Sequence, residues 1–249
     1  SGYGGIELGL SAVVPGIRTV CYVEREIEVA QILAARIKDG VIDDAPVWTD
    51  LRTFDAAAWR GKVSLVTGGF PCQPHSVAGN RKGADDEREL SGEVLRIAEE
   101  LGYPTLFLEN VPGIRRFYWD NIRPKLQSMG YRTEELLITA AETGAPHRRH
   151  RLFILADTGG QRLQGIRSSW KEEYEDGPAH VPLYPPEPAD TQGWEYVYVE
   201  MPTLLPTFCR VANGPTPGVS RQLRAAGNGV VPAVAARAWQ ILNRRFLDE

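Results

Sequence analysis

Short apolar runs separated by helix-periodic stretches organise the first two thirds of the chain. Thr19-Val20-Cys21-Tyr22-Val23 reads as a strand. From about Glu24 to Lys38 apolar residues then recur at helical spacing, with Ile27, Ala30, Leu33, Ala34 and Ile37 on one face. Val63 to Thr67 predicts a second buried strand, closed by the paired glycines Gly68 and Gly69. A polar, glycine-punctuated loop from Gln73 to about Glu89 leads into a helix from about Leu90 to Leu101. Thr105-Leu106-Phe107-Leu108 predicts a short strand ending directly at Glu109, and a helix follows around Trp119 to Met129. Further strands are predicted near Thr133 to Thr139 and Arg151 to Ala156. Strands alternating with helices imply an α/β fold with a mostly parallel sheet covered on both faces.

From about Asp157 to Gly218 this regularity stops. Prolines cluster between Pro178 and Pro188, and Trp170, Tyr174, Tyr184, Trp194, Tyr196 and Tyr198 follow no helical spacing. That stretch reads as a small, irregular second domain. A final helix from Val231 to Phe246 carries Val234, Ala238, Ile241 and Leu242. The expected division is therefore a main domain over 1–156, a small domain over 157–218, and a segment over 219–249 that returns to the main domain.

Composition adds limits rather than an assignment. A chain of 249 residues can bury a large core. It has no long apolar run and no secretory leader, which predicts a soluble, intracellular protein with no membrane partner. Cys21, Cys72 and Cys209 are widely spaced with no CxxC pair, so neither a disulfide framework nor a metal site is expected. The net charge of −4 is not the bulk footprint of a nucleic-acid binder. A basic cleft would have to come from local clusters: Arg81-Lys82, Arg115-Arg116, Arg148 to Arg151, and Arg221 with Arg224. Each of these also reads plainly as a solvated charged loop.

The richest chemistry sits in Gly68-Gly69-Phe70-Pro71-Cys72-Gln73-Pro74. A proline there fixes the backbone just before a cysteine, presenting the thiol at the end of a strand on a stiff turn. Carboxyl ends of strands are where open α/β sheets hold their chemistry. Cys72 is thus a candidate nucleophile, with a buried structural thiol as the plainer alternative.

These residues resemble the nucleophile motif of the cytosine-5 DNA methyltransferases, and other segments are similar to that family's motifs in the same order. Ser1-Gly2-Tyr3-Gly4-Gly5 looks like its glycine loop, Glu24 its acidic ribose ligand, and Asp50 its adenine-contacting Asp. Glu109-Asn110-Val111 corresponds to its Glu-Asn-Val, and His147-Arg148-Arg149-His150-Arg151 looks like its Gln-x-Arg-x-Arg. Gly227-Asn228-Gly229-Val230-Val231-Pro232 is similar to its closing Gly-Asn-x-Val motif. The compact second domain and the closing segment look like small bacterial and bacteriophage members.

The resemblance implies a Rossmann-like S-adenosylmethionine-dependent methyltransferase sheet with a small irregular target-recognition domain. It implies methyl transfer from S-adenosylmethionine to carbon 5 of a flipped-out cytosine in a specific double-stranded DNA sequence. Cys72 would attack carbon 6, Glu109 would stabilise the ring at N3, and Arg149 and Arg151 would serve the same site. On an extended segment those two arginines share a face, so one can clamp the cytosine carbonyl while the other orients Glu109 or a phosphate. Cofactor contacts would come from Ser1, Gly2, Tyr3, Gly4, Gly5, Glu24, Arg25, Asp50, Leu51, Phe70, Pro71, Asn228, Gly229 and Val230. DNA contacts would come from Gln73, Ser76, Arg81, Lys82 and Arg148, with the Gln73–Glu89 loop closing over DNA on Gly79 and Gly83 as hinges. A monomer in a bacterial or phage-infected cytoplasm is implied, with a cognate restriction endonuclease as a functional rather than physical partner.

Departures from the pattern are also visible. The family usually has Gln at His147, Phe at His75, and Asp-Tyr at Glu142-Thr143. It also places a strand before the glycine loop, where this sequence opens. The expectation is a portion of a longer chain, and the contrary reading is a non-catalytic DNA- or partner-binding relative with an incomplete cofactor site. The transfer-RNA methyltransferase of this fold carries a Cys-Phe-Thr after its Glu-Asn-Val region, which this sequence lacks. A nicotinamide dehydrogenase fits poorly, because the glycines lack the full spacing.

Overall fold

The computed structural model describes residues 1–70, 90–145, 148–159 and 229–247. The expected loop from Gln73 to Glu89 and nearly all of the expected second domain lie outside the described residues. Helix α1 (Gly5–Ser11) is followed by β1 (Tyr22–Val23), α2 (Ile27–Lys38) and β2 (Val47–Trp48). Then come β3 (Leu65–Gly68), α3 (Ser91–Leu101) and β4 (Thr105–Asn110). The helix expected around Trp119 is a continuous run of mixed pitch. It has a 3₁₀ turn at Pro112–Ile114, α4 at Arg115–Phe117, a π segment at Tyr118–Ile122 and α5 at Arg123–Ser128. Strands β5 (Arg132–Thr139) and β6 (His150–Asp157) and the final helix α6 (Pro232–Leu247) complete the described fold.

The main sheet has four strands in the order β3-β4-β6-β5, and β1 and β2 form a separate parallel pair. Strand β3 runs parallel to β4, whereas β6 is antiparallel to both β4 and β5. The sheet is therefore mixed rather than mostly parallel. The cause is local: a parallel crossover needs a dozen or more residues, and the short 140–149 connection can only reverse the chain. A capping box closes that connection, with the Thr139 side chain accepting from the Glu142 backbone and Glu142 answering to Thr139.

Alternation along the central strands explains why both faces are covered. Phe107, Phe153 and Leu155 point to one side, where α1, the turn after it and α6 supply Leu10, Val14, Val234, Ala238 and Trp239. Leu106, Leu108, Leu152 and Ile154 point to the other, against Val94 and Ala98 of α3 and Tyr118, Ile122 and Leu126 of the mixed helix. Every residue of β4 is buried, so this strand sits at the centre of the molecule. Thr105 locks its start by donating to Asp157 at the far end of β6, 2.8 Å away.

The apolar stripe expected along α2 is covered only at its middle. Leu33 packs with Tyr22, Ile42 and Ala45, but Ile27 is 72% exposed and Ala34 is exposed. The two-stranded β1–β2 pair beneath it is too narrow to shield a longer stripe. Strand β4 also runs two residues further than expected, so Glu109 lies within the ladder, opposite Phe153. Among the described residues, no helix is long and apolar enough to cross a membrane.

Trp239 is fully buried edge-on to Phe107 at 5.2 Å between ring centroids, and its indole N–H has no partner. Trp239→Ala should lower stability by about 3–5 kcal/mol, whereas Trp239→Phe should cost less than about 1.5 kcal/mol. Urea denaturation of the two variants beside the parent chain measures the difference.

Candidate active site

The carboxyl ends of β3 and β4 lie side by side, and the groups found there come from both. Glu109 is only 6% exposed, yet it carries a carboxyl group. Arg151 of β6 places its Nε 2.7 Å from Glu109 Oε1, although the N–H is not aimed along that contact. Burial pushes the Glu109 carboxyl up to about 7, and the charges of Arg151 and then Arg149 pull it back only part of the way. Arg151 thus meets this carboxyl directly, while Arg149, just before β6, bears on it through its charge. Gly69 passes so close that a Cβ there would stand 3.1 Å from Glu109 Oε2. A side chain at Gly69 would therefore press on the carboxyl group.

Asn110 does a different job. Its side-chain amide donates to the Phe70 carbonyl at 3.1 Å, and its Oδ1 accepts from the Val111 N–H at 2.9 Å. It thereby ties the turn after β3 to the turn after β4. Phe70 itself is buried against Leu108 and Val94. Pro71, Cys72, Gln73, Ser76, Arg81 and Lys82 lie outside the described residues.

A cavity of about 1140 Å³ opens beside these strand ends, and Glu109, Asn110, Phe70 and Arg151 line part of it. Ser1, Gly2, Glu24, Arg25, Asp50 and Leu51 line another part of the same space. Glu24, just past β1, accepts from the Gly2 N–H through Oε2 at 2.7 Å and from the Glu26 N–H through Oε1 at 2.9 Å. The glycine loop is thus pinned to the end of β1, with the Ser1 hydroxyl accepting from the Val23 N–H at 3.1 Å. Asp50 accepts from the Arg52 N–H at 3.0 Å and caps the 3₁₀ turn Leu51–Thr53. Its plainer structural role is therefore present, and its carboxylate still faces the cavity.

The C-terminal segment closes the site from behind. Gly229 lines the cavity, while Val230 is buried with its carbonyl against Gly5. Asn228 and His147 lie outside the described residues. Arg149 donates from Nη2 to the Gly229 carbonyl at 2.6 Å. Burial first, and the charge of Arg151 second, lower the Arg149 guanidinium below its ordinary value. Arg148 is exposed just before β6 and does not line the cavity, its own carbonyl accepting from the Ala140 N–H at 3.2 Å. Gly4 and Gly5 are buried in the loop-to-helix turn and do not line the cavity, and neither does Tyr3.

Two features had little signal in the sequence. The tie from Asn110 to Phe70 depends on the β3–β4 register, which no local pattern specifies. Glu7 on α1 accepts from the Thr67 hydroxyl at 2.7 Å and keeps its second oxygen buried at the cavity wall. Only its placement one turn into the helix after the glycine loop hinted at a role there.

Comparison with known proteins bears on this arrangement. The family described as C-5 cytosine-specific DNA methylase matches residues 1–193. The type II methyltransferase M.NgoMIV of Neisseria gonorrhoeae is 33% identical over 160 residues, covering 63% of this chain and 49% of that one. M.NaeI of Lentzea aerocolonigenes is 34% identical over 160 residues, covering 63% of this chain and 38% of that one. The chain therefore spans about half or less of the length of these relatives. Among solved structures, S. pombe Dnmt2 methyltransferase superposes with a TM-score of 0.52 at 23% identity, over 64% of this chain and 49% of that one. That likeness shows the shared fold. With Gly2 of its glycine loop, the strand-end Glu109 and Arg151 lining one cavity and residues 1–193 matched, the chain belongs to the C-5 cytosine-specific DNA methylase family.

Proposed function

We propose that this chain transfers a methyl group from S-adenosylmethionine to carbon 5 of a cytosine in double-stranded DNA. The observation that carries this reading is Glu109: a nine-tenths-buried carboxyl at a strand end, held up to about 7 beside Arg151. A group so placed can hold a proton at neutral pH and offer it to a ring nitrogen. An ordinary exposed glutamate cannot.

The cavity fits the cofactor by its own chemistry. Glu24 keeps acceptor capacity for ribose hydroxyls beyond the two backbone N–H groups it already takes. Gly2 has nothing within 4 Å of where a Cβ would stand, leaving open space above the loop backbone. Asp50 and Leu51 flank the far end, with Arg25 and Phe70 around it, and Val230 is buried behind the loop. Pro71 and Asn228 complete the proposed set from sequence. When bound, S-adenosylmethionine supplies the electrophilic methyl group that carbon 5 takes.

The residues of this chain then handle the base. The Cys72 thiolate forms a bond to carbon 6, and the C5–C6 double bond opens. Glu109 gives its proton to N3, so the electron pair is accommodated without free charge on the ring. Arg151 holds the resulting carboxylate, and Arg149, anchored on Gly229, faces the base carbonyl. After carbon 5 is methylated, its proton leaves to solvent, the C5–C6 double bond re-forms, and Cys72 departs as thiolate. N3 returns its proton to Glu109. Every bond made to the protein is broken again.

DNA would be held by Arg148 just before β6 and by Gln73, Ser76, Arg81 and Lys82 of the segment after Cys72. Target bases would be read by the small domain over 157–218, with the 219–249 segment returning to the main domain. The chain would act as a monomer, and a cognate restriction endonuclease would be its counterpart in function only.

Base-resolution mapping of 5-methylcytosine in plasmid DNA from cells expressing this chain tests the reaction. Methylation at one short motif is expected, with none from Cys72→Ser or Glu109→Gln. Unmodified DNA from cells holding soluble parent chain would overturn the reading. Glu109 also makes a prediction for stability. Its folded value, about 7, lies above the ordinary 4.5, so between those values the native state binds more protons than the unfolded chain. Stability should therefore fall, relative to Glu109→Gln, as pH rises from about 4.5 to about 7, and level off above. The difference reaches at most about 3 kcal/mol. Chemical denaturation of both proteins at pH 5, 6, 7 and 8 measures it; a pH-independent gap would refute the assignment.

A further inference from the structure

Tyr3 sits in the middle of the glycine loop, directly after Gly2, which lines the cavity, and yet does not line it. Its side chain turns the other way. The hydroxyl donates to the Val230 carbonyl, and the Cε1 edge of the ring abuts Gly229, where no Cβ could be accommodated. Arg36 of α2 donates to the Tyr3 carbonyl at 2.6 Å and sets its guanidinium over the ring, 5.1 Å from the centroid. The Gly229 carbonyl, one peptide from the bond to Tyr3, accepts from Arg149 Nη2 at 2.6 Å. Arg149 and Arg151 in turn both act on Glu109.

These contacts form one unbroken path from the glycine loop to the arginine beside the target base. We infer that Tyr3 is a positioning residue for that arginine. It fixes Gly229 and Val230, and the Gly229 carbonyl then holds Arg149 in register with Glu109. The inference rests on the methyltransferase reading for its catalytic consequence, but the mechanical link stands on the contacts alone.

Each part of the tyrosine is used. A smaller residue would leave Gly229 without a surface to rest on. Phenylalanine would keep that surface but release the Val230 carbonyl, which belongs to a buried residue and would lose its hydrogen bond. Because Arg36 fixes the tyrosine from the α2 side, movement of the ring is resisted by a second element. The cofactor side of the loop is held separately, by Glu24 on the Gly2 N–H. Loss of the Tyr3 hydroxyl should therefore affect the base side and spare the cofactor side.

The test uses Tyr3→Phe, Arg149→Lys and the double variant. Tyr3→Phe should lower kcat by roughly three- to tenfold, the worth of one hydrogen bond. Binding of S-adenosylhomocysteine, measured by calorimetry, should stay within about twofold of the parent. Since Tyr3 acts through Arg149, the double variant should be no slower than Arg149→Lys alone. A multiplicative loss in the double variant, an unchanged kcat, or a loss confined to cofactor affinity would each overturn the proposal. A second readout does not need turnover. The Arg149 guanidinium protons, assigned by their loss in Arg149→Lys, should exchange with water several-fold faster in Tyr3→Phe. Tyr131→Phe, which removes a buried hydroxyl bond to the Pro104 carbonyl elsewhere, should leave them unchanged. If the parent chain does not methylate DNA but this exchange responds as expected, the methyltransferase reading fails and the link survives. Unchanged exchange refutes the link whatever the activity.

Discussion

A carboxyl group taken out of water beside a guanidinium sets the terms for the rest of this structure. Burying Glu109 is costly, and it can be tolerated only if the surroundings are rigid and a counter-charge is held at short range. Strand β4 provides the first condition, because it is paired on both edges and covered on both faces. Strand β6 provides the second, by running antiparallel so that Arg151 meets Glu109 at 2.7 Å. A parallel β6 would bring the other end of that strand to the site. The reversal at 140–149 is thus a requirement of the chemistry as well as a consequence of loop length.

The same economy governs the ring of contacts around that carboxyl. Gly69 has no side chain because Glu109 occupies the space, and Asn110 spans to Phe70 because two turns must keep a fixed separation. Behind them, α1 lies directly on the backbone of Val230 and Pro232 through Gly5 and Gly9. This packing draws a segment more than two hundred residues away in sequence into contact with the opening loop. The loop, the closing segment and the paired arginines therefore behave as one body, joined through Tyr3 and Arg149.

How much of this could be read from the sequence depends on how local its cause is. The buried strands around Val66 and Phe107 and the helix with Val94, Ile97 and Leu101 were legible, because their patterns follow from side-chain alternation and helical pitch. The Glu109 and Arg149–Arg151 motifs were legible as chemistry, and the structure brings them together. Three things were not legible. The orientation of β6 is set by the length of a turn rather than by composition. The exposure of Ile27 follows from the narrowness of the β1–β2 pair, which its own helix does not encode. The direction of the Tyr3 side chain depends on Gly229, whose position is fixed by α1–α6 packing. In each case the deciding partner is distant in sequence.

Net charge is the sequence property that argues against a nucleic-acid partner, and a sum over the chain says little about the local field at the strand ends. Several acidic groups are used internally rather than presented to solvent. Glu93 and Glu100 neutralise Arg96, Glu24 holds the glycine loop, Glu7 takes the Thr67 hydroxyl, and Asp157 takes the Thr105 hydroxyl. Glu135 is shared by Arg115 and Trp119 beside the mixed helix. Glu109, with its value near 7, is half protonated at neutral pH and counts as less than a full charge. By contrast, Arg148 is exposed beside the strand ends. What can dock at that end is decided by the local field around Arg148 and the strand ends, and not by the sum of −4.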